Sequence, residues 1–340
     1  MSRRGIVVMV LLAAWGTTAA ETVQPWQKVA APVTTPLYAV TATPGGGFVA
    51  VGEGGVVLTS GDGRHWTRRD TPTAGTLRGV AAGAGALVAV GDGGVILTSR
   101  DGEGWHLGAS GSTGRLNAVT WTGERFVAVG ASGSEYLTGL ILASEDGRLW
   151  RDRTPANVRP LYGVAAQGGR VLAVGWTGQV AESMDGEQFF ASSLGEVMQQ
   201  CWFMLRPSFL YGVAATAERW VTVGLVVGDQ YPGAGVALTR RPREPWRCTV
   251  TQLPPLQFQF RAVAAAAASF VAVGVGGIAE SPDGLDWRPQ WVAAAPLLHA
   301  VAIGPRCWVA VGEGGSILLR DAPPRHPARR VVRPDLAPGP

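Results

Sequence analysis

Seven positions in this chain carry hydrogen-bonding side chains in surroundings that otherwise have none. Each directly follows a leucine, or once a phenylalanine, in a run rich in valine, alanine and glycine: Tyr38, Arg78, Asn117, Tyr162, Tyr211, Arg261 and His299. Phenol, guanidinium, amide and imidazole groups recognise ligands by hydrogen bonding and charge. A second series, just after a glycine further along, adds Glu53, Asp92, Trp176 and Glu313. Two readings stand level for the set: a binding site, or a hydrated rim without a ligand. Sialidase-type hydrolysis would need an arginine cluster for the substrate carboxylate, a tyrosine nucleophile and paired acids. Arg78, Arg261, the tyrosines and Glu53 supply those types. However, only two arginines belong to the series, and no Arg-Ile-Pro-like segment precedes it. No Ser-His-Asp arrangement is present, and the cysteines and histidines lack metal-ligand spacing. "GEGG" reads as a hairpin turn, since no helix follows it to bind phosphate. The expectation is a non-enzyme with no cofactor and no metal; a glycoside hydrolase is the alternative.

These positions recur because the chain repeats itself. The anchor "L-x-x-V" falls at Leu37, Leu77, Leu116, Leu161, Leu210, Phe260 and Leu298. The anchor "(A/T)VG" ends at Gly52, Gly91, Gly130, Gly175, Gly224, Gly274 and Gly312, always 14 or 15 residues later. The first copy contains four short β-type runs, "LYAVTA", "FVAVG", "GVVLTS" and "HWTRR", parted by Gly-rich or polar turns. Four strands per copy and seven copies predict an all-β, seven-bladed β-propeller of four-stranded blades. The last copy lacks its fourth strand, while a spare "PWQKVA" with Trp26 precedes the first. That segment is expected to complete the last blade and close the ring, removing the exposed sheet edges.

Ser-x-Asp-Gly-x-x-Trp occurs at Ser60–Trp66, Ser99–Trp105, Ser144–Trp150 and Ser281–Trp287, and with phenylalanine at Ser183–Phe189. The aspartate accepts backbone N–H groups of its own turn, the glycine takes angles other residues resist, and the tryptophan packs between blades. Five copies at one structural position favour scaffold over a calcium site. These turns resemble the Asp-box (BNR) repeats of sialidase-type propellers. The full unit "AVGEGGVVLTSGDGRHW" more closely resembles the photosystem II stability/assembly factor-like family, over roughly 26–321. The resemblance implies a seven-bladed propeller and a non-enzymatic, exported or lumenal factor that helps assemble protein complexes. Blade five departs from it, with "LTRRPREPW" in place of the Asp turn.

If each blade runs from the axis outward, the long connections share the face on which the Tyr38 series lies. They are "ASGSEYLTG", "LVVGDQYPGAG" with Tyr231, "SSLGEVMQQCWFMLRPSF" and "TVTQLPPLQFQF". Long loops on one face of a rigid ring are where binding is usually placed. Trp202 and Arg206, in the third, are residue types that anchor interfaces, although Trp202 could equally be core. A protein partner is therefore expected at this face, with a carbohydrate-binding or sialidase-like propeller as the alternative.

The ends carry their own signals. Residues 1–20 combine Arg3 and Arg4, an apolar run and small residues, and read as a secretory signal cut after Ala20. "SRRGIVV" also resembles a twin-arginine signal. A periplasmic or secreted protein follows, with no integral membrane segment in the mature chain. The propeller is assigned to 21–321, and the basic, Pro-rich 322–340 is read as a disordered tail. The chain has 29 basic and 25 acidic residues. With the leader's two arginines and the tail's four arginines and one aspartate set aside, the body keeps 23 and 24. A neutral body does not suit nucleic acid. Of three cysteines, Cys201 and Cys248 could bridge neighbouring units, and Cys307 sits in an apolar strand.

Overall fold

Each copy of the repeat forms one antiparallel sheet. In blade 1 the strands Leu37–Ala42, Phe48–Gly52, Val57–Ser60 and Thr67–Arg69 hydrogen-bond in chain order. The computed structural model describes residues 25–323 except 134, 136, 202–207, 227–233, 252–257, 267–268, 291 and 293–295. It contains seven such four-stranded sheets. The first strands of blades 2 to 7 are Leu77–Gly83, Arg115–Trp121, Leu161–Gln167, Ser208–Ala215, Gln259–Ala266 and Leu298–Ile303. First strands of successive blades neighbour one another around the whole ring, so they line the central channel. The fold is a seven-bladed β-propeller, as the repeat predicts.

The core lies between blades. Phe48–Gly52 and Cys307–Gly312 are buried along their whole length because both faces are covered by neighbouring sheets, which removes the polar-apolar alternation. Phe48, Leu58 and Trp66 of blade 1 pack against Val309, Val311, Ile317 and Leu319 of blade 7.

The Ser-x-Asp-Gly turns lock this packing. The Ser60 hydroxyl donates to Asp62 Oδ1 and accepts the Gly63 N–H at 2.8 Å. Asp62 Oδ1 accepts the N–H groups of Arg64 and His65, and the Trp66 indole donates to the Gly63 carbonyl at 2.9 Å. A Cβ on Gly63 would meet Leu319, Cys307 and Val309 of blade 7 within 3.2 Å. The turns at Ser99, Ser144 and Ser281 repeat these bonds. The role seen is structural. No group of His, Cys, Asp and Glu among the described residues is placed to hold a metal ion. Blade 5 keeps the turn by other means. Arg243 takes the position of Gly63 in the same left-handed backbone, φ 67° against 76°. Arg240 replaces the serine, lying 4.7 Å over the Trp246 ring and bonding both Glu182 oxygens of blade 4.

The ring closes through the chain ends. Gln27–Val29 pairs antiparallel with Ile317–Asp321, Gln27 opposite Leu319, and completes blade 7. Arg320, 4% exposed, is clamped between Trp26 at 5.3 Å and Trp308 at 4.2 Å and pairs with Glu280 of blade 6.

One connection departs from the all-loop expectation. Gly195–Cys201 is an α-helix, with Met198 and, just before it, Leu194 packed onto the core of blades 4 and 5. Their spacing of four puts them on one helical face. Cys307 is buried and free, and Cys248, on the outer strand of blade 5, is disulfide-bonded. The side chain of Cys201, its expected partner, lies outside the described residues. No helix among the described residues is long and apolar enough to cross a membrane.

Candidate functional site

All seven residues of the Tyr38 series converge on one cavity of about 350 Å³ at the mouth of the channel, lined otherwise by the small residues that follow them. The device that aims them is the same in every blade. Pairing between first and second strands jumps by one residue at the series position: Leu37 faces Gly52, then Ala39 faces Val51, leaving Tyr38 unpaired. The same bulge frees Arg78, Asn117, Tyr162, Tyr211, Arg261 and His299. A β-bulge re-aims a side chain and is common beside binding sites.

The bulge explains the glycine of "(A/T)VG". A Cβ at Gly91 would stand 2.0 Å from the Thr76 carbonyl oxygen, and at Gly224 1.8 Å from that of Phe209. The two backbones approach so closely that no side chain fits between them. The residue after this glycine donates its N–H to the carbonyl of the residue before the anchor: Glu53 to Pro36, Asp92 to Thr76, Trp176 to Pro160 and Glu313 to Leu297, at 2.9–3.0 Å. Each of these blades thereby brings two positions together at the rim, one on the bulge and one on the turn.

Over blades 7, 1 and 2 the rim is charged. Arg78 holds Asp92 side-on, Nε to Oδ1 at 2.6 Å and Nη2 to Oδ2 at 2.9 Å. His299 Nε2 lies 2.8 Å from Glu313 Oε1. Between these pairs the Tyr38 ring meets His299 at 5.1 Å and the Arg78 guanidinium at 5.4 Å. Burial, and then the charge of Glu53, push the Tyr38 phenol above its ordinary pKa. Asn117 on blade 3 donates to the Leu161 carbonyl at 2.7 Å and bridges to blade 4.

Blades 4 to 6 form an aromatic half. Tyr162 and Tyr211 lie 5.5 Å apart, and Phe209 stacks on Tyr211 at 5.8 Å with the planes 5° from parallel. The Arg261 guanidinium covers the other neighbourhood of Tyr211 at 4.6 Å, and Arg159 lies 5.7 Å from the Trp176 ring. Burial chiefly, with Tyr211 second, raises the Tyr162 pKa. Phe209 and Arg159 belong to the rim but not to the sequence series. Phe209 precedes its anchor, where no other blade has an aromatic residue, and that was the available signal. Trp202, Arg206 and Tyr231 lie outside the described residues.

No protein-family model matches the chain, and no curated protein matches it in sequence. Among solved structures it is similar to YCF48 bound to D1 peptide (16% identity, TM-score 0.65, 88% of this chain and 97% of that one). It is likewise similar to YCF48 from Cyanidioschyzon merolae (15%, 0.63, 87% and 98%). Virginiamycin B lyase from Staphylococcus aureus superposes equally well (10%, 0.67, 87% and 99%). Likeness at such identities is likeness of fold: this chain is a seven-bladed propeller that shares its architecture with binding proteins and with a lyase.

Proposed function

We propose that this chain is an exported, non-catalytic propeller that binds a segment of a protein partner at the channel mouth and serves as an interaction or assembly factor for an envelope complex. The observation that carries the reading is the convergence of seven differing, hydrogen-bonding side chains on one cavity, each released from sheet pairing by its own bulge. About 350 Å³ is at the small end of ligand sites, and it suits one or two side chains of a larger partner. Burial raises the phenols of Tyr38 and Tyr162, so both keep their O–H as hydrogen-bond donors for a ligand at neutral pH. A peptide-bound YCF48 structure of the same fold supports a protein ligand. Export is supported by the leader-like residues 1–20 and by the disulfide at Cys248, since such bonds persist in oxidising compartments.

The test is capture from the native envelope with the unmodified chain and with a Tyr211→Ala/Arg261→Ala/His299→Ala variant of matched unfolding midpoint. A captured protein that, once purified, binds the unmodified chain and not the variant is the expected result. Equal binding to both would move the site away from the channel mouth. Glycan retention or sialoside turnover lost in the variant would replace the protein reading with the carbohydrate one.

A further inference from the structure

The blades serve as internal controls for one another. Blade 2 shows what the two rim positions do when both are filled by complementary groups: Arg78 on the bulge receives the Asp92 carboxylate from the turn, bidentate and side-on. Blade 7 repeats the arrangement with His299 and Glu313. Blade 6 has the arginine without the acid. Arg261 occupies the bulge, and the strand register puts Val275 opposite Gln259, the place that Asp92 takes opposite Thr76. Val275 is exposed and supplies no acceptor.

The consequence is visible at Arg261 itself. Its Nε is buried and has no hydrogen-bond partner. Among the described residues it makes no hydrogen bond and no ion pair, and its one described partner is the Tyr211 ring. Arg125 and Arg153 also carry an unpartnered buried Nε, but both pair with Glu187 through their other nitrogens. At Arg261 the buried donor has no described acceptor at all, which is costly. The Tyr211 ring beneath it restrains the guanidinium without using its N–H donors, which leaves the fork available to a planar acceptor.

Blade 1 is the complement. Glu53 fills the turn position, but the bulge carries the neutral Tyr38, and the Glu53 carboxylate makes no hydrogen bond or ion pair among the described residues. Blades 6 and 1 flank blade 7, whose own pair is complete. The unmatched cation and the unmatched anion therefore sit on either side of the hydrogen-bonded His299–Glu313 pair.

We infer that Arg261 is the receptor for a carboxylate carried by the bound partner, seated on it as Asp92 sits on Arg78, with a positive charge of the same ligand directed to Glu53. The inference rests on the channel mouth being a partner site, as proposed above. It assigns the ligand's class: a peptide segment bearing both charges, its carboxylate either a side chain or a chain end. A phosphate dianion fits less well, because it brings two negative charges to one guanidinium while the Glu53 carboxylate already acts on Tyr38 at the same mouth. A sialoside would satisfy Arg261 and leave Glu53 unmatched.

Val275→Asp tests this without removing any rim residue. The exposed position accepts a polar side chain, and the new acid would occupy Arg261 from within, as in blade 2. Sodium acetate is titrated into the full chain while the Arg261 Nε–H resonance is followed by NMR. The resonance is expected to move in the unmodified chain and to stay fixed in V275D. In parallel, random peptides are selected on the unmodified chain by display. Selected peptides are expected to bind V275D about tenfold to a hundredfold more weakly, the worth of a charged hydrogen-bonded contact. A similar loss follows from replacing one carboxylate by its amide. Side-chain amides and an amidated C-terminus tell the two carboxylate sources apart.

An Arg261 resonance unmoved by acetate in the unmodified chain overturns the inference, as does full-strength peptide binding by V275D. If acetate acts as expected but no peptide is ever selected, the carboxylate receptor stands and the protein-partner reading falls. Competition with acetate by a sialoside would then identify the ligand class.

Discussion

Gly91 and Gly93 lie two residues apart in blade 2 and should respond very differently to alanine. At Gly93 the backbone is left-handed, φ 67°, and a Cβ would meet nothing within 4 Å. Gly93→Ala then costs only the conformational penalty, about 1 kcal/mol. At Gly91 the backbone is extended, which any residue adopts, but a Cβ would lie 2.0 Å from the Thr76 oxygen and 3.0 Å from Leu77 Cα. The first contact is a full ångström inside the closest approach that real Cβ atoms show, and both neighbours are backbone. The strands must part, straining the pairing of Leu77 with Gly91 and the Asp92 N–H bond to Thr76. Overpacking at about 2 kcal/mol plus one or two weakened hydrogen bonds at about 1 kcal/mol each gives a loss of about 3–4 kcal/mol for Gly91→Ala. Urea unfolding followed by tryptophan fluorescence measures both variants, and the Trp66-type residues buried between blades report on ring integrity. Equal losses, or a Gly91→Ala loss near 1 kcal/mol, would refute the claim that backbone approach at the bulge fixes this glycine.

Two further outcomes follow from the fold. Arg320→Met breaks the buried clamp at the closing blade and strands Glu280, so it should cost about 3 kcal/mol or more in urea unfolding; the Arg320→Met/Glu280→Gln pair should recover much of that, because the charge left behind is the larger cost. The Asp146 carboxyl is held below its usual range by the Arg148 and Leu149 N–H groups, with the Ser144 hydroxyl helping. A depressed folded pKa stabilises fully above the unfolded value of about 3.9 and loses that contribution as pH falls through the folded one. The stability gap between the unmodified chain and Asp146→Asn should therefore be constant above about pH 5 and shrink below pH 4, and a gap that widened on acidification would contradict the assignment.

How much of this was legible in the sequence follows from what each residue does. The glycines opposite the anchors are constant because backbone contact leaves no alternative. The anchors are leucine in all blades but one, where Phe260 fills the same core position, and near-constant positions are what a repeat search detects. Trp26 was readable because the last copy lacks a strand that only the N-terminal segment could supply. The series Tyr38 to His299 could be listed from spacing alone. Its presentation could not, because a bulge shifts register by one residue and the glycine it requires reads equally well as a turn glycine. The pairing of Arg78 with Asp92 was hidden for a related reason. The two are 14 residues apart, and only the bulged register places them side by side. The unmatched Arg261 was hidden more deeply still, since seeing it means noticing that Val275 stands where other blades carry an acid.

The bulge separates two demands that most strands must meet together. Folding is satisfied by the anchor and the glycine, and the residue between them contributes no ladder hydrogen bond, so its identity is free as far as the sheet is concerned. Free variation alone would have put apolar residues at some of the seven positions, and none is apolar. A hydrated channel accounts for polarity in general, and it accounts for Arg78 with Asp92 and His299 with Glu313, where each group finds a hydrogen-bonding partner within its own blade. It does not account for an arginine whose Nε is buried without an acceptor while the adjoining turn offers a valine. Hydration would have been served by a serine there, at no electrostatic cost. Arg261 is the point at which the requirements of the ring stop explaining the sequence and those of a ligand begin.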